Sequence, residues 1–266
     1  MLRWIGRGLG GGRVTTRYPR VDEAAPRGYR GGVEVVDAHS APPELAGVCP
    51  TGAIEVDAAG TVSLDRARCI LCGECVRAAR ERFAFTAAYE TAAASRAALV
   101  EPRGGAAAPA PRRRTLADQA ASLRRSIHVR HIDCGSDGAE EWEIQALWNP
   151  YYDIQRLGFF LTHAPRHADV LLATGPVTAV MREPLERTWA AMPGPKALVA
   201  VGSDACGGGL CGDDAGPGPP GRLTHGGIDQ VLPVDVYVPG SPPAPIAIMH
   251  GLLVAAGLLA ADGAAA

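Results

Sequence analysis

Three apolar runs in the second half of the chain predict the buried strands of a parallel sheet. They lie at residues 169–173, 197–201 and 234–238 and carry Val, Leu and Ala with little polar interruption. Continuous runs of this kind are typical of strands that are covered on both faces. Each run leads into a Gly-containing loop, and residues 182–191 between the first two runs have a helical pattern. Open parallel sheets bind ligands beyond the carboxyl ends of their strands, so we expect a site there.

Apolar patterning and helix breakers divide the rest of the chain. We predict an N-terminal arm at 1–29, a small domain at 30–100, a linker at 101–114 and a second domain at 115–262. The linker is rich in Pro, Gly and Arg and offers nothing apolar to pack. The second domain would open with a helix at 117–126.

The last apolar run, at residues 246–260, is shorter than the roughly 20 residues that a membrane-spanning helix needs. It also contains His250. We therefore predict a buried helix that closes the second domain, and no direct membrane span. The first residues lack the apolar segment of a secretory signal.

Composition limits the classes of function. The chain has 266 residues, 47% of them hydrophobic, and a formal net charge of −2. Such a balance gives no reason to expect a nucleic-acid partner, and the length favours about two domains. Seven cysteines without a disulfide framework suit a reducing compartment.

Three cysteines spaced C-x2-C-x2-C point to an iron–sulfur site. They are Cys69, Cys72 and Cys75, and a Cys-Pro pair lies upstream at Cys49. The spacing is typical of bacterial ferredoxins, in which the distant cysteine completes the ligand set of one cluster. Gly73 lets the backbone pass close to inorganic sulfide. The expected cofactor is one 4Fe–4S cluster held by Cys49, Cys69, Cys72 and Cys75.

A second cluster of the same ferredoxin type would need cysteines at four further positions. These positions hold His39, Pro42, Leu45 and Ala79. One interlocking set is complete and the other is absent. Zinc ribbons favour two separated C-x2-C pairs instead of this triple, so the pattern favours a single iron–sulfur cluster.

Several longer motifs resemble one known family. They are HIDCGS at 131–136, NPYYD at 149–153, APRHADVLLATGPVT at 164–178 and PVDVYVPG at 233–240. The resemblance is to the small-subunit family shared by complex I (its B subunit) and the membrane-bound nickel–iron hydrogenases, including formate hydrogenlyase. TRYP at 16–19 and the cysteine-rich module resemble the separate ferredoxin-like subunit of the same complexes, so the chain resembles a fusion of two neighbouring subunits.

The resemblance implies an α/β flavodoxin-like parallel-sheet domain preceded by a small ferredoxin-like α+β iron–sulfur domain. In that family the α/β domain holds a proximal 4Fe–4S cluster through four cysteines. The matching positions here are Asp137, Glu140, Asp204 and Ser241. Carboxylates and a hydroxyl are hard ligands that suit an iron–sulfur cubane poorly, so we interpret these four as vacated ligand positions.

Alternatives remain for the side chains around the vacated positions. Cys134, Cys206 and Cys211 are free thiols or members of a rearranged site with an acidic residue. The acidic residues themselves are hydrated, bound to loop amides or bound to a hard cation. Arg166 and His167 match a motif that lies near the cluster and quinone region in complex I.

The resemblance implies an iron–sulfur electron-transfer subunit of a membrane-associated, hydrogenase-related, complex I-like oxidoreductase. Such a subunit has no complete active site of its own. Its partners would be a large subunit, membrane subunits and a redox donor protein, at the cytoplasmic face of the cell membrane. The alternative is a non-redox docking or coupling subunit with a structural cluster.

Overall fold

The computed structural model describes residues 10–102, 126–211 and 223–260, together with Gly6, Gly8 and Leu116. Three sequence predictions lie outside this part of the chain. They are most of the linker at 101–114, the helix at 117–126 apart from Ser126, and the tail beyond residue 260.

A five-stranded parallel sheet forms the second half of the molecule. Its strands are β6 (Ile127–Asp133), β7 (Phe159–Leu161), β8 (Val170–Thr174), β9 (Ala197–Val201) and β10 (Val236–Val238). They are hydrogen-bonded in the order β7-β6-β8-β9-β10, and every pair is parallel. Numbered by appearance, this is the 2-1-3-4-5 order of flavodoxin-like folds. The expected α/β sheet is confirmed.

Strands β8 and β9 are buried at every residue, as their uninterrupted apolar sequences predict. The predicted strand at 234–238 is shorter than expected and begins at Val236. Strands β6 and β7 carry polar residues among the apolar ones, so their sequences did not stand out as buried runs.

Helices cover the sheet on its two faces. They are α2 (Ala139–Ala146), α3 (Arg182–Ala191), the short α4 (Ser203–Gly207) and α5 (Pro245–Ala256). The α3 helix has the predicted bounds. The α5 helix begins with a proline in its first turn and ends at Gly257, whose positive φ of 74° suits a helix end. It is buried at nearly every position. Among the described residues no helix is long and apolar enough to span a membrane.

Short antiparallel strands build the N-terminal half. Strand β1 (Gly32–Val35) pairs with β4 (Phe83–Thr86). In a second sheet, β3 (Val62–Asp65) pairs with β2 (Ile54–Val56) on one side and with β5 (Val100–Glu101) on the other. Helix α1 (Glu74–Ala78) follows the C-x2-C-x2-C loop and includes its last cysteine. A small apolar core that includes Val33, Leu64 and Phe83 holds these elements together.

The two halves pack closely in the folded chain. Ala93 exchanges two backbone hydrogen bonds with Tyr237, which extends the sheet beyond β10. Arg96 forms a two-pronged ion pair with Asp65 and lies 4.0 Å from Asp229 of the α/β half. Tyr18 of the N-terminal arm is fully buried in the core of the parallel sheet. The N-terminal module is therefore fixed against the α/β half by backbone, ionic and apolar contacts.

Candidate metal centre

The four predicted ligand cysteines lie on two segments of the N-terminal half. Cys49 follows the 3-10 turn at Pro43–Val48, and Cys69 ends the turn after β3. Cys72 lies on the loop that follows, and Cys75 lies in the first turn of α1. Leu71 and Gly73 have positive φ values of 56° and 81°, so this loop curls back on itself. Cys49, Cys72 and Cys75 all lie within electrostatic range of Cys69, and we call these four residues the four-cysteine site.

Backbone amides point at sulfur atoms of the four-cysteine site. The N–H of Ala53 donates to Cys49 Sγ at 3.3 Å, and the Thr51 hydroxyl lies 3.4 Å from the same sulfur. The amides of Leu71 and Val76 hydrogen-bond to Cys69 and Cys75 and favour their thiolate forms. Such hydrogen bonds to sulfur are one of the means by which a protein sets the potential of an iron–sulfur cluster.

The thiols of Cys69 and Cys75 are held in their protonated forms by their surroundings. Burial raises the pKa of Cys69 to about 12, and its three partner cysteines add to the increase. Burial also raises the pKa of Cys75, with contributions from Cys72 and Cys49. Metal ligands must be deprotonated, so these thiols need a strongly positive centre among them to become thiolates. Soft sulfur donors are the ligand type that suits an iron–sulfur cluster.

The loop between Cys72 and Cys75 passes close to an aromatic ring. An added Cβ on Gly73 would lie 2.8 Å from the Phe85 ring, so only glycine passes there. Among the described residues, no group of three or more His, Cys, Asp or Glu side chains is placed so that it could hold a metal ion. A single zinc ion needs thiolates within about 2.3 Å of one centre, whereas a cubane distributes its ligands over four irons.

The positions that a second cluster would need are occupied differently. Leu45 and Ala79 are buried in the apolar core of the N-terminal half at 7% and 5% exposure. His39 is exposed, and Pro42 precedes the 3-10 turn. Apolar packing therefore fills the place of a second ligand set.

The vacated ligand positions lie at the carboxyl ends of the parallel strands. Asp137 and Glu140 follow β6, Asp204 follows β9, and Ser241 follows β10. The first three carboxyl groups act on one another's ionisation, so they share one location, which we call the carboxylate pocket. Ser241 is exposed on the loop after β10.

Glu140 is the buried member of the carboxylate pocket. The residue is 3% exposed, and its Oε2 has no hydrogen-bond partner. Burial raises its pKa to about 7, with smaller contributions from Asp204 and Asp137. Its side chain lies over Gly202, where an added Cβ would come within 2.5 Å of Oε1. The prediction that this carboxyl is hydrated, cation-bound or bound to a loop amide stays a prediction. The Glu140 backbone amide hydrogen-bonds to this carboxyl, but burial outweighs that contact and favours the protonated form, which avoids the cost of a buried charge.

Asp204 and Asp137 connect this buried carboxyl to the surface. Asp204 is half-buried, and burial together with Asp137 raises its pKa. Its Oδ1 lies where a Cβ on Gly209 would be. Asp137 is exposed and accepts a hydrogen bond from the Ala139 amide at 2.9 Å, as predicted for a loop carboxylate. The side chains of Glu140 and Asp204 thus fill the space over Gly202 and Gly209.

The remaining cysteines face elsewhere. Cys206 is fully buried, its thiol lies 3.5 Å from the Ala200 carbonyl oxygen, and burial raises its pKa. Burial likewise raises the pKa of Cys134 to about 12. The ionisable neighbours that act on Cys206 are Arg96, Asp229 and Asp65, none of which belongs to the carboxylate pocket. A rearranged site that joins these thiols to the acidic residues receives no support from this geometry.

Ser203 links the two candidate sites. It is fully buried, and its Oγ lies 2.6 Å from the Cys69 carbonyl oxygen and 3.0 Å from that of Gly240. The residue immediately precedes Asp204. On the same side of α4, Gly207 lies against the backbone of Ala67. The loop that carries Cys69 therefore rests directly on the loop that carries a vacated ligand position.

Sequence reasoning missed Ser203 and a second polar group near the pocket. Glu141 accepts hydrogen bonds from the Thr174 and Ser136 hydroxyls, and His131 Nε2 lies 3.4 Å from it. Ser203 and Cys69 are 134 positions apart, so no local pattern could reveal their contact. Glu141 could have been noticed because it directly follows a vacated position.

Arg166 and His167 lie in the 3-10 turn before β8 and are exposed. They therefore lie at the amino ends of the strands, at the opposite edge of the sheet from the carboxylate pocket.

Comparison with known proteins decides the family. The family model for the NADH ubiquinone oxidoreductase 20 Kd subunit matches residues 137–255. A probable membrane-bound hydrogenase subunit, mbhJ of Pyrococcus furiosus, is 39% identical over 133 residues, covering 50% of this chain and 75% of that protein. The chain belongs to this 20 Kd subunit family. The matched region contains all four vacated positions.

Other relatives agree with this membership of the 20 Kd subunit family. Formate hydrogenlyase subunit 7 of Escherichia coli strain K12 is 39% identical over 167 residues, or 60% of this chain. This chain spans 63% of that protein, just under two thirds of its length. A chain of the archaeal membrane-bound sulfane sulfur reductase is 27% identical and superposes with a TM-score of 0.42, covering 52% of this chain and 75% of its own. That TM-score is low, so membership rests on the sequence comparisons.

Proposed function

We propose that the chain is an iron–sulfur electron-transfer subunit of a membrane-associated, hydrogenase-related, complex I-like oxidoreductase. The four-cysteine site holds one 4Fe–4S cluster, and the N-terminal half acts as a ferredoxin-like domain. The α/β half docks a catalytic large subunit, and membrane subunits hold the assembly at the cytoplasmic face. Its relatives, formate hydrogenlyase subunit 7 and a probable membrane-bound hydrogenase subunit, support this assignment.

The arrangement of the four cysteines carries the proposal. Cys49, Cys72 and Cys75 act on the ionisation of Cys69, and backbone amides hydrogen-bond to the sulfurs of Cys49, Cys69 and Cys75. When bound, the cluster supplies one-electron transfer at a potential set by burial, charge and these hydrogen bonds. The chain's own part is to orient the thiolates and to exclude water from Cys75, which is 7% exposed.

The cluster proposed at the four-cysteine site lies close to the vacated ligand positions, on the side of the chain that would face the large subunit. Ser203 holds the Cys69 carbonyl at 2.6 Å, beside Asp204. Leu71 of the cysteine loop and Gly240 of the loop after β10 line the same two cavities. The four-cysteine site thus borders the region that the family uses for its proximal cluster. Electrons that arrive there need no second cluster within this chain.

The second candidate is a docking or coupling subunit with a structural cluster. The observation that favours it is the carboxylate pocket, because acidic side chains occupy the positions through which this family would ordinarily carry electrons. In this case the four-cysteine site would serve mainly to fold the N-terminal half.

One experiment separates the two candidates. The assembled complex is compared with a complex that carries Cys69→Ala, in assembly and in electron transfer from a reduced low-potential ferredoxin. The redox function predicts normal assembly and lost turnover. A Cys211→Ala variant is the matched control, since Cys211 is an exposed free thiol outside the four-cysteine site, and it should retain both. Unchanged turnover in the Cys69→Ala complex would leave only the docking function.

A further inference from the structure

The carboxylate pocket contains a polar atom that the fold leaves without a partner. Glu140 is 3% exposed, and its Oε2 receives no hydrogen bond. Buried carboxyl oxygens are normally paired, because an unpaired one costs about 1–3 kcal/mol. The Glu140 side chain is nevertheless held in place over Gly202. A fixed carboxyl whose one buried oxygen has no hydrogen-bond partner among the described residues is suited to binding something small, and a proton is the smallest candidate.

The surroundings of Glu140 favour a proton over a metal ion. The ionisable groups that act on it are Asp204 from α4, Asp137 from the loop after β6, and its neighbour Glu141. All three are acids, and they oppose the ionised form. The described residues contain no group of ligands arranged for a single ion.

The other elements near this pocket add little charge. Helix α5 packs against α2 and carries His250 as its one ionisable residue, whose Nδ1 lies 3.4 Å from the Ala92 amide. The loop after β10 has no ionisable side chain between Pro239 and Pro243. On the cysteine loop, Arg68 lies against Gly207 at the far end of α4 and donates to the Gly52 carbonyl at 3.2 Å. Electrostatic control of Glu140 therefore rests with the three acids.

The three acids also run from the surface to the interior. Asp137 is exposed, Asp204 is half-buried and Glu140 is buried. Ser203, the neighbour of Asp204, holds the backbone of the Cys69 loop. A proton on Glu140 consequently lies beside the support of the four-cysteine site, and a route to solvent passes Asp204 and Asp137.

We propose that Glu140 is a proton-binding site that replaces the proximal cluster and takes up a proton when the cluster at the four-cysteine site is reduced. The coupling rests on the proposed function. In this step a one-electron donor such as dithionite or reduced ferredoxin gives one electron to the cluster. The ionised Glu140 then takes one proton from solvent to form the neutral acid, and oxidation reverses both transfers. The added electron makes its surroundings more negative, which raises the affinity of Glu140 for a proton.

The test follows the proton and the electron separately in the full-length protein. Infrared difference spectra across about pH 5 to pH 9 report the carbonyl band of a protonated buried carboxyl. The proposal expects a band that titrates near neutral pH in the wild type and is absent in Glu140→Gln. Potentiometric titration with dithionite is then repeated at several pH values. The reduction potential should fall with rising pH by up to about 59 mV for each pH unit near neutrality, and should be nearly flat in Glu140→Gln.

Glu186→Gln is the matched control, because Glu186 is an exposed acid on α3 that is paired with Arg182. It should preserve both the infrared band and the pH-dependent potential. A wild type without the carbonyl band at pH 6 would overturn the proton site. A band that titrates while the potential stays independent of pH would overturn the coupling. A protein without iron would overturn the proposed function and the coupling together, yet the infrared titration would still test the proton site.

Discussion

Replacing Glu140 by Gln should remove a pH dependence from the stability of the folded chain. Burial raises the pKa of Glu140 from 4.5 to about 7. Below the ordinary pKa of 4.5, the Glu140 carboxyl is protonated in both the folded and the unfolded chain, and its contribution to stability is fully present. Between this pKa and the folded pKa of about 7, the folded chain keeps a proton that the unfolded chain releases. Stability is therefore lost as the pH rises through the folded value.

The size of the loss follows from the two pKa values. At about 1.4 kcal/mol for each tenfold change in proton affinity, the difference corresponds to about 3 kcal/mol. Glu140 is 3% exposed, so solvent screening reduces this figure little. Glutamine has nearly the same shape and cannot ionise. The stability of Glu140→Gln relative to the wild type should therefore increase by about 3 kcal/mol between pH 5 and pH 8.

Urea unfolding of both proteins at a series of pH values, under anaerobic conditions, measures this difference. Comparing the two proteins cancels groups that they share, such as His131, whose pKa burial lowers. The exposed substitution Glu186→Gln should leave the pH profile unchanged. A difference between Glu140→Gln and the wild type that stays constant from pH 5 to pH 8 would refute the reasoning, as would one of opposite sign.

Further predictions concern the cluster and the junction between the halves. Cys72→Ala should abolish the visible absorption of the anaerobically purified protein and speed hydrogen exchange in residues 30–100, because metal binding contributes folding free energy. Cys206→Ala should keep the absorption spectrum. Equal loss of absorption in both variants would support the rearranged site that includes Cys206. Arg96→Ala should destabilise the chain by about 2 kcal/mol in urea, below the 3–5 kcal/mol of a fully buried pair, because its side chain is 32% exposed. Arg187→Ala removes an exposed ion pair with Glu183 and should change stability by about 0.5 kcal/mol or less. Equal effects of Arg96→Ala and Arg187→Ala would contradict a stabilising role of Arg96 between the two halves.

Local patterns predicted the parts of the fold that depend on local burial. Strands β8 and β9 and helix α3 agree with the apolar runs and the helical pattern that predicted them. Strand β6 was not singled out, since His128 and Arg130 interrupt its apolar residues. The order of the strands needs tertiary contacts, and only the family resemblance pointed to it.

Spacing selected four cysteines as candidate ligands, because the ligands of one cluster share a short loop and one distant residue, and their joint binding of a cluster stays a prediction. Spacing could not predict that Glu140 is buried with its Oε2 left without a hydrogen-bond partner. That property depends on Gly202, Asp204 and the depth of the pocket. The contact between Ser203 and Cys69 was equally invisible, since the two residues are 134 positions apart.

The most direct test of the account is the metal content of the anaerobically purified, full-length protein. A single complete four-cysteine site predicts about four iron and about four acid-labile sulfide per chain. About eight of each would show that a second cluster persists and that the carboxylate pocket has been misread. Zinc in place of iron, or no metal, would contradict the electron-transfer function itself.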